Sequence, residues 1–538
     1  MILSPSRQAP HVDAAAPALP ASVVAPPPSA GSPAATPAGT VEYGARRILV
    51  VAGVMLAALL QTLDATIVNV ALPTIQGNLG ASIDEGTWVV TAYIIAAVVV
   101  IPITPWLQNR FGRKQYFLVS IAGFTVASLL CGLAGSIQEL IVFRLVQGLF
   151  GGGLLATSQA ILRDTFPAKQ LGISQAIFTI AAVVGPSTGP TLGGLLTDNV
   201  SWRWVFDVNI VPGIIAIALL LPLLRNPART KSNGFDGIGL VLLAVGLGSV
   251  QYVLDEGERN DWFNDGTIVA LCLSAVAGMV AFVMWELWGT QRPIVDLRVL
   301  LRRSVGVGCL IAMVNATVIF GQLLVLPQYL SNVLGFTATQ DGLLLAIRAI
   351  PIVLLTIPIS QLANSSRVDP RALIAAGLAC AGSGVVGLGF ASTSHTDFWT
   401  VAQWLALTGC GISFVFSPLL VAVLRATPPA DSPKAGAFIS LALNMGGSIA
   451  SASLVTILDR RESFHSTILD GNATLARYGV AQFVAHSGIV RLAELIARES
   501  AALSYADAFY VIGAFGIVMA PLAFALPRRK AAGVPATR

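Results

Sequence analysis

Charge is what this sequence has least of. Of its 538 residues only 11% are charged, 32 Lys and Arg with 27 Asp and Glu, against 55% hydrophobic. A soluble globular chain carries about a quarter charged residues, so that class is excluded. The apolar runs are long and unbroken, which excludes the alternating strands of a membrane barrel and leaves an all-α membrane protein. The basic residues fall in short clusters and form no stripe, so nothing points to nucleic acid. Cys131, Cys272, Cys309, Cys380 and Cys410 all lie in apolar runs without a close partner in sequence. That spacing supports neither a metal site nor a disulfide framework. His11, His395, His465 and His486 fall outside the apolar runs. A P-loop is absent, and so are H-E-x-x-H, a Ser/His pair and an acid–acid dyad within the spans. The chain therefore reads as no enzyme, with no catalytic residues, no metal and no cofactor. Residues 1–44 are rich in Pro, Ala and Ser and lack the basic-then-apolar order of a signal peptide. They are expected to be a disordered cytoplasmic N-terminus.

What is present is a succession of about fourteen apolar spans, at 48–73, 87–107, 115–134, 138–160, 172–196, 204–224, 237–254, 267–288, 304–327, 341–363, 371–391, 398–421, 434–458 and 504–526. The loops test the count. With a cytoplasmic N-terminus, the inner side receives Arg110, Arg113, Lys114, Arg163, Lys169, Arg225, Arg229, Lys231, Arg292, Arg298, Arg302, Arg303, Arg367, Arg371, Arg425 and Lys434. Arg528, Arg529 and Lys530 follow the last span. The short outer loops receive only Arg203 and Arg259, among acids such as Asp84, Glu85, Asp255, Glu256 and Glu258. One missed or invented span would scramble this asymmetry, so both termini are expected in the cytoplasm. The long outer loop at 459–503 escapes the charge rule, and within it 489–498 has the apolar spacing of an amphipathic helix.

Two charged residues lie deep inside spans. Asp64 sits in the first, within Leu-Asp-Ala-Thr-Ile-Val-Asn-Val-Ala-Leu-Pro, residues 63–73. A carboxylate at the middle of a membrane helix costs about 2.5–3.5 kcal/mol, so it faces a bundle interior or a wet cavity. Burial also favours taking up a proton, which makes Asp64 a candidate proton carrier. In the fourth span Arg144, Gln147 and Gly148 share a helical face, and Arg144 cannot shed its charge. Pairing of Arg144 with Asp64 in one conformation and not another would couple proton release to a switch, although a purely structural ion pair is the competing reading. In the fifth span Gly185, Gly189 and Gly193 recur at i+4 steps beside Pro186, Pro190 and Gly194. They offer a smooth packing face and a bendable backbone. Arg348 stands in the tenth span, where it could be balanced by Asp341 or could attract an anionic or zwitterionic substrate.

The turn Leu107-Gln108-Asn109-Arg110-Phe111-Gly112-Arg113-Lys114 resembles the inner-loop motif of the major facilitator superfamily. Pro105 and Asn109 stand where that motif has Gly and Asp, the Asp joining a charge network at the inner face. Arg144-Leu-Val-Gln147-Gly148 resembles the superfamily's span-four motif, which is tied to proton transfer, and the 185–194 segment resembles the antiporter signature of its exporters. Residues 63–73 are similar to the first-span signature of the fourteen-span drug:proton antiporters of the EmrB/QacA type. Trp202-Arg203-Trp204-Val205-Phe206 with Asn209 and Pro212 is similar to that family's start of span six, the 334–343 segment looks like its entry into span ten, and Arg460-Arg461-Glu462-Ser463 with His465 is similar to its EmrB branch.

The resemblance implies a major facilitator fold: a six-helix bundle at 45–225, two inserted helices and a linker at 226–303, a second six-helix bundle at 304–528, and a cytoplasmic tail at 529–538. Spans one, four, nine and twelve would line the cavity, presenting Gln61, Gln147, Asn315, Gln322 and Gln403, with Arg348 of span ten also toward it and Ser413 and Ser417 as further polar groups. It implies a proton-coupled exporter of hydrophobic or amphipathic drugs across the inner membrane, with Asp64 and Arg144 coupling the proton. The inner-loop residues Arg110, Gly112 and Arg113 would serve the gate, and the proton gradient would supply the energy. Partners would be small amphipathic substrates, protons and membrane lipids, with a periplasmic adaptor (membrane fusion protein) and an outer-membrane channel conceivable. The alternatives are a dedicated exporter of one anionic metabolite or fatty acid, and a non-transporting membrane receptor.

Overall fold

A computed structural model describes residues 42–225, 234, 236–291, 293–365, 368–474 and 477–528. The N-terminal stretch as far as residue 41, the tail 529–538 and the loop cations Arg229, Lys231, Arg292, Arg367, Arg529 and Lys530 lie outside the described residues. Every regular element among the described residues is helical. Fourteen helices are long and apolar enough to cross a bilayer. They are α1 (Gly44–Leu79), α2 (Glu85–Phe111), α3 (Arg113–Leu133), α4 (Ile137–Thr165), α5 (Leu171–Asn199), α6 (Trp204–Leu223) and α7 (Gly237–Glu256). They continue with α8 (Gly266–Gly289), α9 (Arg303–Asn332), α10 (Gln340–Asn364), α11 (Pro370–Ala391), α12 (Phe398–Ala426), α13 (Ser432–Asn472) and α14 (Tyr478–Ala525).

The packing repeats itself. In the first six helices α1 packs on α5 and α6, α2 on α4, and α3 on α4 and α6. In the last six α9 packs on α13 and α14, α10 on α12, and α11 on α12 and α14. The second pattern is the first with eight added to every index, so two six-helix bundles share one internal arrangement. They meet along two seams, α5 against α10 and α2 against α13, which the same symmetry exchanges. The inserted α7 and α8 pair through a close approach of Gly246 to Gly278. Of the two, α7 leans on α2 and α13, and on α13 Gln251 and Ser448 exchange hydrogen bonds of 2.8 and 3.1 Å.

Lipid is as apolar as a leucine side chain, so these helices are held by contact and small residues more than by the hydrophobic effect. The α1–α5 pair shows how. A Cβ added to Gly185, Gly189 or Gly193 would come within 2.1, 2.1 and 2.6 Å of Thr62 Oγ1, Thr66 Oγ1 and the Ile67 carbonyl of α1. Pro190 removes the amide that would have met the carbonyl of Pro186, and Thr66 Oγ1 donates to that carbonyl at 3.4 Å in its place.

The connections expected on the inner side do gather at one end. Asn364 donates to the Lys169 carbonyl, Arg302 pairs with Asp431, and Lys434 bridges Asp296 and Asp431. Arg303 reaches the Ala525 carbonyl there as well.

Residues 459–503, expected as a long loop with one amphipathic helix, are corrected to a helical hairpin. The helix of α13 runs unbroken to Asn472, and α14 starts at Tyr478. Gly488, at φ 82°, is the non-helical residue inside α14, placing the expected amphipathic piece just beyond the break. Local turn signals in 459–472 are weak, and Arg461 and His465 both hold Asp507 on the returning helix, at 2.5 and 2.8 Å. Those contacts across the hairpin support a helix that composition alone does not demand.

Candidate functional site

Asp64 is completely buried on α1 and accepts from three N–H groups. Arg144 Nη1 donates to Oδ2 at 2.7 Å, while Gln147 Nε2 and Asn209 Nδ2 each donate to Oδ1 at 3.0 Å. Arg144 has two further acceptors, the Val89 carbonyl at 3.0 Å from Nε and Gln147 Oε1 at 2.7 Å from Nη1. Its guanidinium also lies over the Tyr93 ring, 4.2 Å from the centroid. Ser128 Oγ accepts from Gln147 and from Asn209, both at 3.1 Å, and donates to the Phe206 carbonyl at 2.8 Å. Five helices of the first bundle, α1, α2, α3, α4 and α6, thus converge on one carboxylate. Both charges are matched, the carboxylate takes three donors, and Nε and Nη1 of Arg144 each find acceptors, which lowers the penalty of burying an ion pair.

The sequence pattern placed Asp64, Arg144 and Gln147 together correctly as neighbours. It missed Ser128 and Tyr93, which carry no signal beyond being polar atoms inside apolar helices. Asn209 stood in a recognised segment but was not assigned to the site. The approach of α4 to α2 requires Gly148, where a Cβ would sit 2.4 Å from the Tyr93 carbonyl.

A second polar centre lies in the other bundle. Arg348 on α10 is fully buried, with Nη1 donating to Gln322 Oε1 at 3.1 Å and Nη2 to Ser187 Oγ at 2.6 Å. Ser187 belongs to α5, so this contact crosses the seam. The Nε of Arg348, the Nε2 of Gln322 and both amide atoms of Asn315 are buried without a hydrogen-bond partner. No ion pair joins Arg348 to Asp341, whose Oδ1 is itself buried and unpartnered. At longer range the Asp341 and Arg348 charges still attract each other, so charge balance by Asp341 and attraction of an anionic substrate both stand as readings of Arg348.

The remaining expected cavity residues part company. Gln61 is buried, but its Oε1 accepts the Leu155 N–H at 2.7 Å, where α4 restarts after the turn at Gly152 and Gly153. It serves the broken helix, satisfying an amide with no intrahelical partner. Gln403 is exposed, and its place in the cavity is withdrawn. The buried stripe of α12, which includes Leu405, Gly409, Ile412 and Phe416, leaves position 403 on the opposite face at 100° per residue. Ser413 donates to backbone carbonyls of Gly409 and Pro351, and Ser417 is buried with an unpartnered hydroxyl.

At the inner end Gly112, φ 89°, makes the turn between α2 and α3 that a side chain would strain. Arg113 pairs with Asp164 at the end of α4, while Arg110 is exposed. Position 109 carries no carboxylate, and the partner of Arg113 at this end is Asp164.

The Major Facilitator Superfamily model matches residues 54–451. The chain belongs to the major facilitator superfamily. Within the superfamily it falls in the EmrB-like branch: it is 35% identical to the multidrug export protein EmrB of Escherichia coli (strain K12), over 78% of this chain and 82% of that one. It is 34% identical to the fatty acid resistance protein FarB of Neisseria gonorrhoeae, over 77% and 80%. A solved structure of the superfamily's proton:xylose symporter XylE shares the fold, with TM-score 0.55 and 15% identity over 90% of this chain and 96% of that one. In superfamily terms this chain is an integral membrane transporter, and its two polar centres lie one in each bundle.

Proposed function

We propose that this chain is a proton-driven exporter of small hydrophobic or amphipathic compounds, seated in the cytoplasmic membrane with both termini inside. The observation that carries the reading is the wholly buried Asp64 network. Three donors reach the carboxylate and leave one lone pair on Oδ2 for a proton, and taking it up cancels the negative charge that holds the Arg144 guanidinium at the centre of the network. Proton uptake and rearrangement of five helices then become one event, which is what coupling requires. The α5 glycine face against α1 gives a rigid backing, and its two prolines permit bending. Few polar fixtures among many apolar ones make selection loose. The names of the EmrB and FarB relatives favour export of toxic amphipaths. The cations of the inner connections favour a cytoplasmic seat for that end.

Docking of an adaptor on the outer side fits the hairpin. A 41-residue helix such as α13 spans roughly 60 Å, about twice the hydrocarbon core. Its protruding part and the start of α14 expose Phe464, Ile468, Tyr478, Ile489 and Val490.

The test is substrate-linked proton movement in proteoliposomes, wild type against Asp64→Asn, with lipophilic cations, fatty acids and acidic antibiotics under an imposed pH gradient. Gradient-dependent transport that disappears in Asp64→Asn is the expected result. Undiminished proton coupling in that variant would move the proton site elsewhere. A dedicated exporter of one anionic metabolite or fatty acid is the second reading, favoured by Arg348. A non-transporting receptor has no use for two buried charged centres, and transport of no compound would revive it.

A further inference from the structure

We propose that Arg348, Gln322 and Ser187 form a subsite for the carboxylate of an amphipathic anion, at the seam between the two bundles. The inference rests on the transporter reading above and adds its substrate class. A guanidinium cannot neutralise itself by losing a proton, so a buried one needs a counter-charge or a full set of acceptors. Arg348 has neither in direct contact: its two hydrogen bonds go to neutral side chains, its Nε has no partner, and among the described residues no carboxylate lies within 4.0 Å, Asp341 acting on it only from farther off. Further unpartnered polar atoms lie on α9, at the arginine's partner Gln322 and two turns away at Asn315. Gln322 offers an unpartnered Nε2, and Asn315 two unpartnered amide atoms, both side chains being at most 1% exposed. Asn315 and Gln322 are seven residues apart on α9 and so share one face.

Open N–H donors around a fixed positive fork suit a planar, bidentate anion, which is a carboxylate better than a halide or a cation. The opposite face of α10 exposes Leu343, Ile350 and Leu354, so the charge is turned away from the outer surface of the bundle and toward α5 and α9. Because Ser187 belongs to the other bundle, an anion taking over Nη2 would replace a contact across the seam. Binding and loosening of the seam would thereby be linked.

The experiment measures binding to purified full-length protein in nanodiscs, with dodecanoate, dodecanol and dodecyltrimethylammonium as probes of one chain length. Wild type is expected to prefer dodecanoate over dodecanol by roughly tenfold or more, the worth of one charge-assisted pair. Arg348→Gln should erase that preference while leaving the affinity for the cation unchanged, and Arg348→Lys should restore part of it. Gln322→Leu, which keeps the arginine, should lower it severalfold. The proposal is overturned if wild type shows no preference, if a folded Arg348→Gln retains it, or if Asp341→Asn rather than Arg348→Gln removes it. Gradient-driven efflux of the cation alone, with no dodecanoate preference, sinks this inference and leaves the exporter reading standing. Absence of transport of all three compounds with the preference intact does the reverse.

Discussion

Arg144 and Arg348 are both buried, one in each bundle, and they are kept there by different means. Around Arg144 the first bundle has assembled a carboxylate, a glutamine, a backbone carbonyl and an aromatic face. Around Arg348 the second bundle has assembled only a glutamine and, from across the seam, a serine. The first centre is complete within the protein, and anything that changes its charge must rearrange it. The second is incomplete, and something from outside can complete it. Two halves with the same helix packing thus carry a closed electrostatic circuit and an open one. On the function proposed above, that would be the division of labour of an exchanger, a proton at one centre and cargo at the other.

The largest effects should come from breaking the closed circuit. Arg144→Leu leaves Asp64 buried without its partner and should cost about 3–5 kcal/mol, read as a lower unfolding midpoint with loss of transport. Arg348→Met removes a buried charge that has no carboxylate within 4.0 Å, so the same measurement should show a neutral or raised midpoint. Equal losses at the two sites would end the comparison. Next in size is the coupling itself. A double-mutant cycle of Asp64→Asn and Arg144→Gln should give an interaction energy of about 1–3 kcal/mol, against less than about 0.5 kcal/mol for Asp341→Asn with Arg348→Gln. A large value for the second pair would mean that Asp341 does reach Arg348.

Packing comes third. Gly189→Ala drives a methyl toward Thr66 Oγ1 and should destabilise by about 1–3 kcal/mol, with Thr66→Ala on the same chain restoring part of it. Without such rescue, the α1–α5 contact would not be what the glycine protects. Arg113→Gln at the inner end, where the pair with Asp164 is partly exposed, should cost below about 1 kcal/mol and act chiefly on transport rate. The smallest effect concerns helix starts. Asp369 is held below the usual carboxylate range by its hydrogen bonds from Arg371, and Asp397 by those from Thr400. A carboxyl depressed in the folded state stabilises above its unfolded value, about 3.9, and that contribution is lost as pH falls through the folded value. Acid titration should therefore loosen the starts of α11 and α12 only below about pH 4, and Asp369→Asn should shift nothing at neutral pH beyond a few tenths of a kcal/mol.

Much of this was written in the chain itself. Fourteen spans were legible because a bilayer demands a contiguous apolar length and satisfied backbone, and because loop cations mark one side. Asp64, Arg144 and the 185–194 glycines stood out because each is expensive or unusual at its place in an apolar helix. What remained hidden depends on rotation and on contacts distant in sequence. Gln61 and Gln403 looked alike as polar residues in spans, yet one satisfies the restart of α4 and the other faces outward. Ser128 and Asn209 became partners of Asp64 only when α3 and α6 were set beside α1. Asp164 became the partner of Arg113 from about fifty residues away only when the end of α4 met the start of α3. The helical hairpin after α13 was unreadable because its support comes from Asp507 on the returning strand of chain. Sequence by itself determined the membrane class, the number of spans and which charges had to be buried, because those follow from local transfer free energies. Tertiary structure alone decided which buried charge is paired and which is left open, because pairing is set by the distances between helices that only packing brings together.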